Sequence, residues 1–190
     1  TMVAALVVMG MLVQYVRVVQ AVCEITLLDD VIGTSQVGAV WNGEDCVKSD
    51  PPAPSARSGH TMVSIPNTDA AVLFGGIDGG NDVYLRSHVT GEWIRLVTTG
   101  TKPTARYEHS AVVWTSSGMQ ESMMTIFGGY DGSNRLNDVH TLNLETNVWS
   151  GTVTTTGTPP SARYYHSAVV WTPSGAQGFV MTVFGGVGAG

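Results

Sequence analysis

Three copies of one ordered residue pattern follow each other along this 190-residue chain, and that repetition limits the possible folds more than any other feature. Each copy begins with Pro-x-x-Arg-x-x-His and reaches a pair of glycines after an apolar run. The arginines of the copies are Arg57, Arg106 and Arg163, so successive copies are 49 residues (57 to 106) and 57 residues (106 to 163) apart. A period of about 50 residues indicates a repeat built from one supersecondary unit.

The segments between these landmarks are predicted to be β-strands, four in each complete copy. They are rich in β-branched and aromatic residues and are bounded by Gly, Pro, Asn and Ser. The second strand of each copy is apolar at nearly every position, which is typical of a strand buried on both faces. The predicted strands cover 61–65, 70–74, 82–86 and the surroundings of Trp93; 110–114, 123–127, 138–142 and the surroundings of Trp149; and 167–171 and 179–184.

The ordered set of landmarks resembles that of kelch repeats, whose period is also near 50 residues. The resemblance covers roughly residues 37–190 and implies an all-β fold, a portion of a kelch-type β-propeller made of four-stranded antiparallel blades. The repeats would be 54–102, 103–159 and a truncated 160–190. Because propellers close with about 4 to 8 blades, we expect the chain to be a fragment or to close by association with copies of itself.

The glycines and tryptophans of the pattern are interpreted as architecture. Glycine permits positive φ and a close approach of a neighbouring sheet, which suits the crowded end of an inner strand. Each Trp offers an apolar face to the adjacent blade, and its indole N–H is expected to find a carbonyl. The residues concerned are Gly75, Gly76, Gly128, Gly129, Gly185, Gly186, Trp93, Trp149 and Trp41, the last as the closing Trp of an earlier, incomplete repeat.

The repeated arginines have two interpretations. In the first, each guanidinium ties the connection between blades together through carbonyls or carboxylates. In the second, which rests on the resemblance to kelch domains that bind acidic peptides, Arg57, Arg106 and Arg163 contact a partner. The histidines three residues further on are expected to be structural.

The loop after the second glycine pair is the other candidate for partner binding. It is three residues longer than its counterpart in the first repeat and carries Tyr130, Asp131 and Arg135. Loops held on a rigid repeat scaffold are where such proteins place specificity. These three residues and the three arginines are therefore the predicted partner-binding residues.

The first 53 residues precede the repeats. Residues 1–28 form an apolar segment whose run from 2 to 13 is too short to span a membrane. It fits either a secretory signal, with Val19-Gln20-Ala21 as the cleavage site, or elements of the fold. Residues 29–53 are interpreted as a linker plus the partial repeat that contains Trp41. Secreted and cytoplasmic locations stay open, as does the pairing of Cys23 with Cys46.

Charge and motif content restrict the function. A net charge of −6 and a pI near 5.2 argue against nucleic-acid binding. The chain has no nucleophile elbow, P-loop or zincin motif, and two cysteines do not make a metal site, so no cofactor is predicted. The expected function is a non-catalytic scaffold that binds a protein through blade-end loops. The alternative is a fragment of a secreted propeller enzyme, galactose oxidase-like or sugar-active, with catalytic ligands outside this chain.

Overall fold

The computed structural model describes residues 39–41, 46–48, 53–115, 121–153, 158–171 and 179–188. The chain divides into two compact units, Thr1–Pro51 and Pro52–Gly190. In the first unit, strands β1 (Ala39–Trp41) and β2 (Cys46–Lys48) form an antiparallel hairpin, so the backbone of Trp41 lies in a strand. The predicted signal segment and Cys23 lie outside the described residues.

The first blade of the second unit is a four-stranded antiparallel sheet. Strand β4 is buried along its whole length, as its unbroken apolar sequence predicts. A turn at residues 88–92 connects the last two strands. The four strands pair in chain order and are β3 (Thr61–Ser64), β4 (Ala70–Phe74), β5 (Val83–Ser87) and β6 (Trp93–Leu96).

The second blade has the same four antiparallel strands and one more. The added strand β7 (Thr99–Thr101) follows β6 directly and pairs in parallel with the outer strand of the second blade. The sequence analysis missed β7, because this short, exposed segment has no alternation of apolar and polar residues. The other strands are β8 (Ser110–Thr115), β9 (Ser122–Tyr130), β10 (Arg135–Asn143) and β11 (Val148–Thr152).

The third repeat contributes a long antiparallel pair, β12 (Arg163–Trp171) and β13 (Val180–Gly188). Phe184 of this pair is 83% exposed, whereas its counterparts Phe74 and Phe127 in the first two blades are 0% and 2% exposed. The all-β class and the antiparallel blades predicted from the sequence are confirmed by these sheets.

The blades are joined by the histidines of the repeat. His109 lies 2.8 Å through Nε2 from the Thr61 hydroxyl of the preceding blade, and its ring meets Phe74 edge-on with centroids 5.2 Å apart. His166 repeats this arrangement on the second blade, with its Nε2 2.8 Å from the Ser110 hydroxyl. These two histidines are therefore structural, as expected, and each one anchors a blade to its predecessor.

The two closing tryptophans with described side chains behave differently. Trp149 is 2% exposed and packs against Phe74 of the preceding blade, with ring centroids 5.4 Å apart. Its indole N–H has no hydrogen-bond partner within the described residues, so the prediction that it would bind a carbonyl was wrong for Trp149. Trp93 contacts Tyr84 and Arg86 of its own sheet, and the interblade packing expected for it stays a prediction.

The glycine pairs lie where blades crowd each other. Gly128 and Gly129 have φ of 62° and 99°, a region that L side chains rarely adopt. A Cβ on Gly128 would lie 2.8 Å from the Arg163 carbonyl oxygen and 3.1 Å from Cε1 of His166, both in the third repeat, and a Cβ on Gly129 would lie 2.8 Å from the Cβ of His109 in its own repeat. The pairs in the other two repeats, Gly75–Gly76 and Gly185–Gly186, have positive φ as well.

Candidate functional site

Arg106 lies inside the second blade with its side chain fully buried. Its Nη1 donates to the Gly128 carbonyl at 3.0 Å and to the Asp138 carboxylate at 2.6 Å, and its Nη2 donates to the same carboxylate at 2.8 Å. Its Nε donates to the Thr104 carbonyl. Arg106 therefore has no exposed surface for a partner. Its contacts hold segments of the blade together.

Arg57 and Arg163 repeat the carbonyl part of this arrangement. Arg57 Nη1 donates to the Gly75 carbonyl at 3.1 Å, and Arg163 Nη1 donates to the Gly185 carbonyl at 2.8 Å. Both side chains are partly exposed and also bind the serine two residues earlier. A contact made at the same position in every repeat belongs to the architecture, whereas partner contacts by Arg57 and Arg163 stay a prediction.

Asp138, which the sequence analysis placed only within a predicted strand, is half-buried and pairs with the buried Arg106. Burial would raise its pKa, but the hydrogen bonds and charges of Arg106 and His140 hold the pKa well below its ordinary value. His140 Nε2 lies 2.9 Å from the second carboxylate oxygen. The matching Asp82 of the first blade pairs instead with exposed Arg95 at 2.6 Å. The sequence signal for this network is the Asn-Asp pair that both complete repeats carry, at residues 81–82 and 137–138.

The long loop of the second repeat is a rigid hairpin turn. The Asp131 carboxylate accepts the backbone N–H groups of Asn134 at 2.6 Å and Ser133 at 2.8 Å. These hydrogen bonds lower the pKa of Asp131, so the carboxylate stays charged while it shapes the turn. Of the loop residues predicted to bind a partner, Asp131 thus holds the turn that carries Tyr130 and Arg135 on either side of it.

Four tyrosine rings lie in an unbroken row at this end of the second and third blades. We call them the tyrosine cluster: Tyr107, Tyr130, Tyr164 and Tyr165. The ring centroids of Tyr107 and Tyr130 are 5.6 Å apart, those of Tyr130 and Tyr164 are 5.6 Å apart, and those of Tyr164 and Tyr165 are 4.9 Å apart. The structure therefore brings Tyr130 together with three residues that the sequence analysis did not predict.

Arg135 completes the surface. Its guanidinium carbon lies 5.8 Å from the centroid of the Tyr164 ring, at the distance of a cation–π contact. The residue is exposed, and among the described residues it forms no ion pair. Tyr165 is 62% exposed. The exposed Arg135 and the exposed Tyr165 ring thus both lie next to Tyr164.

Comparison between repeats separates this surface from the architecture. The first repeat has Ser58 and Ile77 where the second has Tyr107 and Tyr130, and its blade is intact. The blade fold therefore does not require the aromatic rings. The signal that sequence reasoning overlooked is this variation inside an otherwise constant opening segment.

Backbone strain points to the same place. Gly59 of the first repeat has φ of 65°, and the equivalent Glu108 and Tyr165 have φ of 53° and 57°. A left-handed conformation costs a residue other than Gly about 1 kcal/mol. Retention of large side chains at such positions is a common mark of functional sites.

A cleft of about 450 Å³ lies between the second blade and the third repeat. The side chains that line it are apolar or neutral, and they include Phe127, Val139, Phe179 and Met181. Since the described lining has no ionisable group, the cleft offers packing surface and hydroxyls rather than acid–base chemistry.

The described residues contain no group of three or more His, Cys, Asp and Glu side chains arranged to hold a metal ion. In the same part of the chain, no helix is long and apolar enough to cross a membrane.

The interlocked antiparallel blades, with their repeated Arg, Gly-Gly and His contacts, define a portion of a kelch-type propeller. A family model described as the KLHDC2/KLHL20/DRC7 Kelch-repeats domain matches residues 40–190. The chain belongs to the kelch-repeat family, and the resemblance read from the sequence is confirmed.

Individual relatives are about one-third identical to this chain over the residues that align. Host cell factor 1 of Rattus norvegicus is 33% identical over 155 residues, which are 73% of this chain and 7% of that protein. Rab9 effector protein with kelch motifs of Bos taurus is 32% identical over 142 residues, 70% of this chain and 35% of that protein. Kelch domain-containing protein 3 of Homo sapiens is 35% identical over 142 residues, with coverages of 72% and 33%. The chain thus spans only a minor part of each of these relatives.

Proposed function

We propose that this chain is part of a non-catalytic interaction module that binds a protein partner through the tyrosine cluster and Arg135. The observation that carries the proposal is the row of contacting rings, half-buried at Tyr107, Tyr130 and Tyr164 and exposed at Tyr165, which the blade architecture does not need. Tyrosine and arginine are the residues most enriched among those that dominate binding energy at protein interfaces, together with Trp. Because β-strands and a pinned turn hold them, little side-chain entropy would be lost on binding.

The family supports this proposal in general terms. One relative is named as an effector of Rab9, which describes action through another protein. The alternative is a fragment of a propeller enzyme whose catalytic ligands lie outside this chain. No feature of the described residues supports it. Arg57 and Arg163 are the predicted contacts that keep an exposed part, and we propose them as secondary contacts only.

The test is a selection of binding peptides from a random display library on the immobilised chain, followed by affinity measurements with variants. Tyr165→Gly removes the most exposed ring and leaves the backbone at a φ that glycine tolerates. Selected peptides should lose most of their affinity for this variant. The matched control is Val89→Ala, an exposed residue in the 88–92 turn, which should bind as before. Peptides that bind both variants equally would contradict the proposed function.

A further inference from the structure

The tyrosine cluster presents hydroxyl groups that the described fold does not use. None of its four hydroxyls forms a hydrogen bond with another residue in the described part of the chain. Burial, followed by the neighbouring phenols and Glu108, raises the pKa of Tyr107, so its hydroxyl keeps its proton. Arg135 adds N–H groups, which only donate, whereas a phenol hydroxyl can donate and accept. A ligand that offers several acceptors can therefore pair with every one of these groups.

The rings of the cluster also follow one another in contact and offer apolar faces. Two steps of 5.6 Å lead from Tyr107 through Tyr130 to Tyr164, so these rings span up to about 11 Å. A polyproline II segment repeats every three residues at about 3.1 Å per residue, which spaces equivalent prolines about 9 Å apart. Its carbonyls are free acceptors because the helix has no internal hydrogen bonds, and proline has no N–H.

We infer that the tyrosine cluster binds a proline-rich segment in the polyproline II conformation, with an acidic residue of that segment next to Arg135. This inference rests on the proposed function and names the chemistry of its partner. Proline rings pack on the phenol faces, and the hydroxyls donate to the carbonyls between them. The guanidinium of Arg135, which has no ion pair among the described residues, takes the carboxylate, to which its planar fork is matched. An acidic flank therefore sets the position and direction of the segment.

The test uses the chain of residues 1–190 and a labelled peptide of three Pro-Pro-Ala units with Asp at each end. Fluorescence anisotropy measures its affinity beside two matched peptides, one with Ser in place of every Pro and one with Asn in place of Asp. We expect the Pro peptide to bind at least about tenfold more tightly than the Ser peptide. Tyr165→Gly should remove that preference.

Arg135 has its own pair of variants. Arg135→Gln should abolish the preference for Asp over Asn ends, and Arg135→Lys should keep part of it because the charge remains. Equal affinity for the Pro and Ser peptides, or no binding of the Pro peptide at about 1 mM, overturns the inference.

The display selection separates this inference from the proposed function. If selected peptides depend on Tyr165 but lack proline, the partner chemistry inferred here is wrong and the interaction surface stands. If no selected peptide depends on Tyr165, both fail.

Discussion

The Arg106 guanidinium meets the Asp138 carboxylate through two nearly parallel contacts of 2.6 and 2.8 Å, inside a blade where the arginine side chain is fully buried. Such a pair is costly to break from one side only, since the remaining charge has lost its water and its partner. The first blade keeps the aspartate at the same repeat position but pairs it with an exposed arginine. The two blades therefore offer a matched comparison of one ion pair in two environments.

We predict that Asp138→Asn lowers the free energy of unfolding by roughly 3 kcal/mol, because it leaves Arg106 buried without its counter-charge. Asp82→Asn should cost less than about 1 kcal/mol, because Arg95 is 58% exposed and returns to water. Urea denaturation of both variants measures the difference. Equal losses would show that burial of Arg106 does not govern the pair.

Stability should also depend on pH through His109. Burial, followed by the charge of Arg106, lowers its pKa from 6.5 to about 3. As the pH falls below 6.5, the unfolded chain takes up a proton that the folded chain does not, so folding loses up to about 1.4 kcal/mol per pH unit. His109→Gln removes this proton uptake.

The measurement is the free energy of unfolding at pH 7, 6 and 5. The native sequence should lose stability more steeply than His109→Gln over this window. The pKa of Asp138 is also lowered, so its stabilising contribution is present at neutral pH and fades only below about pH 4, outside the window. Parallel curves for the two proteins would contradict the assigned role of His109.

Two glycines of one hairpin allow the energetic cost of backbone strain to be measured apart from the cost of steric crowding. Gly129 and Gly132 have φ of 99° and 96°, but a Cβ would meet His109 at Gly129 and nothing within 4 Å at Gly132. Both Ala substitutions should carry the cost of the left-handed backbone, about 1 kcal/mol. Gly129→Ala should cost about 2 kcal/mol more because the added Cβ crowds His109 and the Tyr107 carbonyl within the same blade, so these two segments of the blade must move apart. Thermal or urea unfolding gives both values, and similar losses would mean that these segments yield easily.

The equivalent phenylalanines of the repeat should contribute differently to the free energy of unfolding. Phe74 packs between His109 and Trp149, so Phe74→Ala should cost about 3 to 5 kcal/mol. Phe184 is 83% exposed, and Phe184→Ala should change the unfolding free energy by less than about 0.5 kcal/mol in this chain. Both values come from the same denaturation series. A large loss at Phe184 would reveal a contact that covers it in solution.

Local features of the fold could be predicted because the same residue pattern recurs in each copy of the repeat. Strand β4 is an apolar run and is buried throughout, and the positive φ of Gly128 and Gly129 follows from their place at the end of such a run. Strand β7 could not be predicted, since the parallel pairing of Thr99–Thr101 depends on where the next blade places its outer strand.

The candidate site was only half predictable for a similar reason. Loop length and residue type indicated Tyr130 and Arg135. Tyr107 meets Tyr130 through a backbone bridge within the second blade, and Tyr164 reaches Tyr130 only because successive blades stack. The choice between a tie and a partner contact for Arg106 also needed the distance to Asp138, which spacing alone does not give.

The most direct test of the interaction surface is hydrogen exchange, measured by mass spectrometry, on the chain with and without a selected peptide. We predict slower exchange at residues 107–109, 130–136 and 163–166, the segments that carry the tyrosine cluster and Arg135. Protection confined to the opposite blade ends, at residues 65–69 and 88–92, would contradict the account.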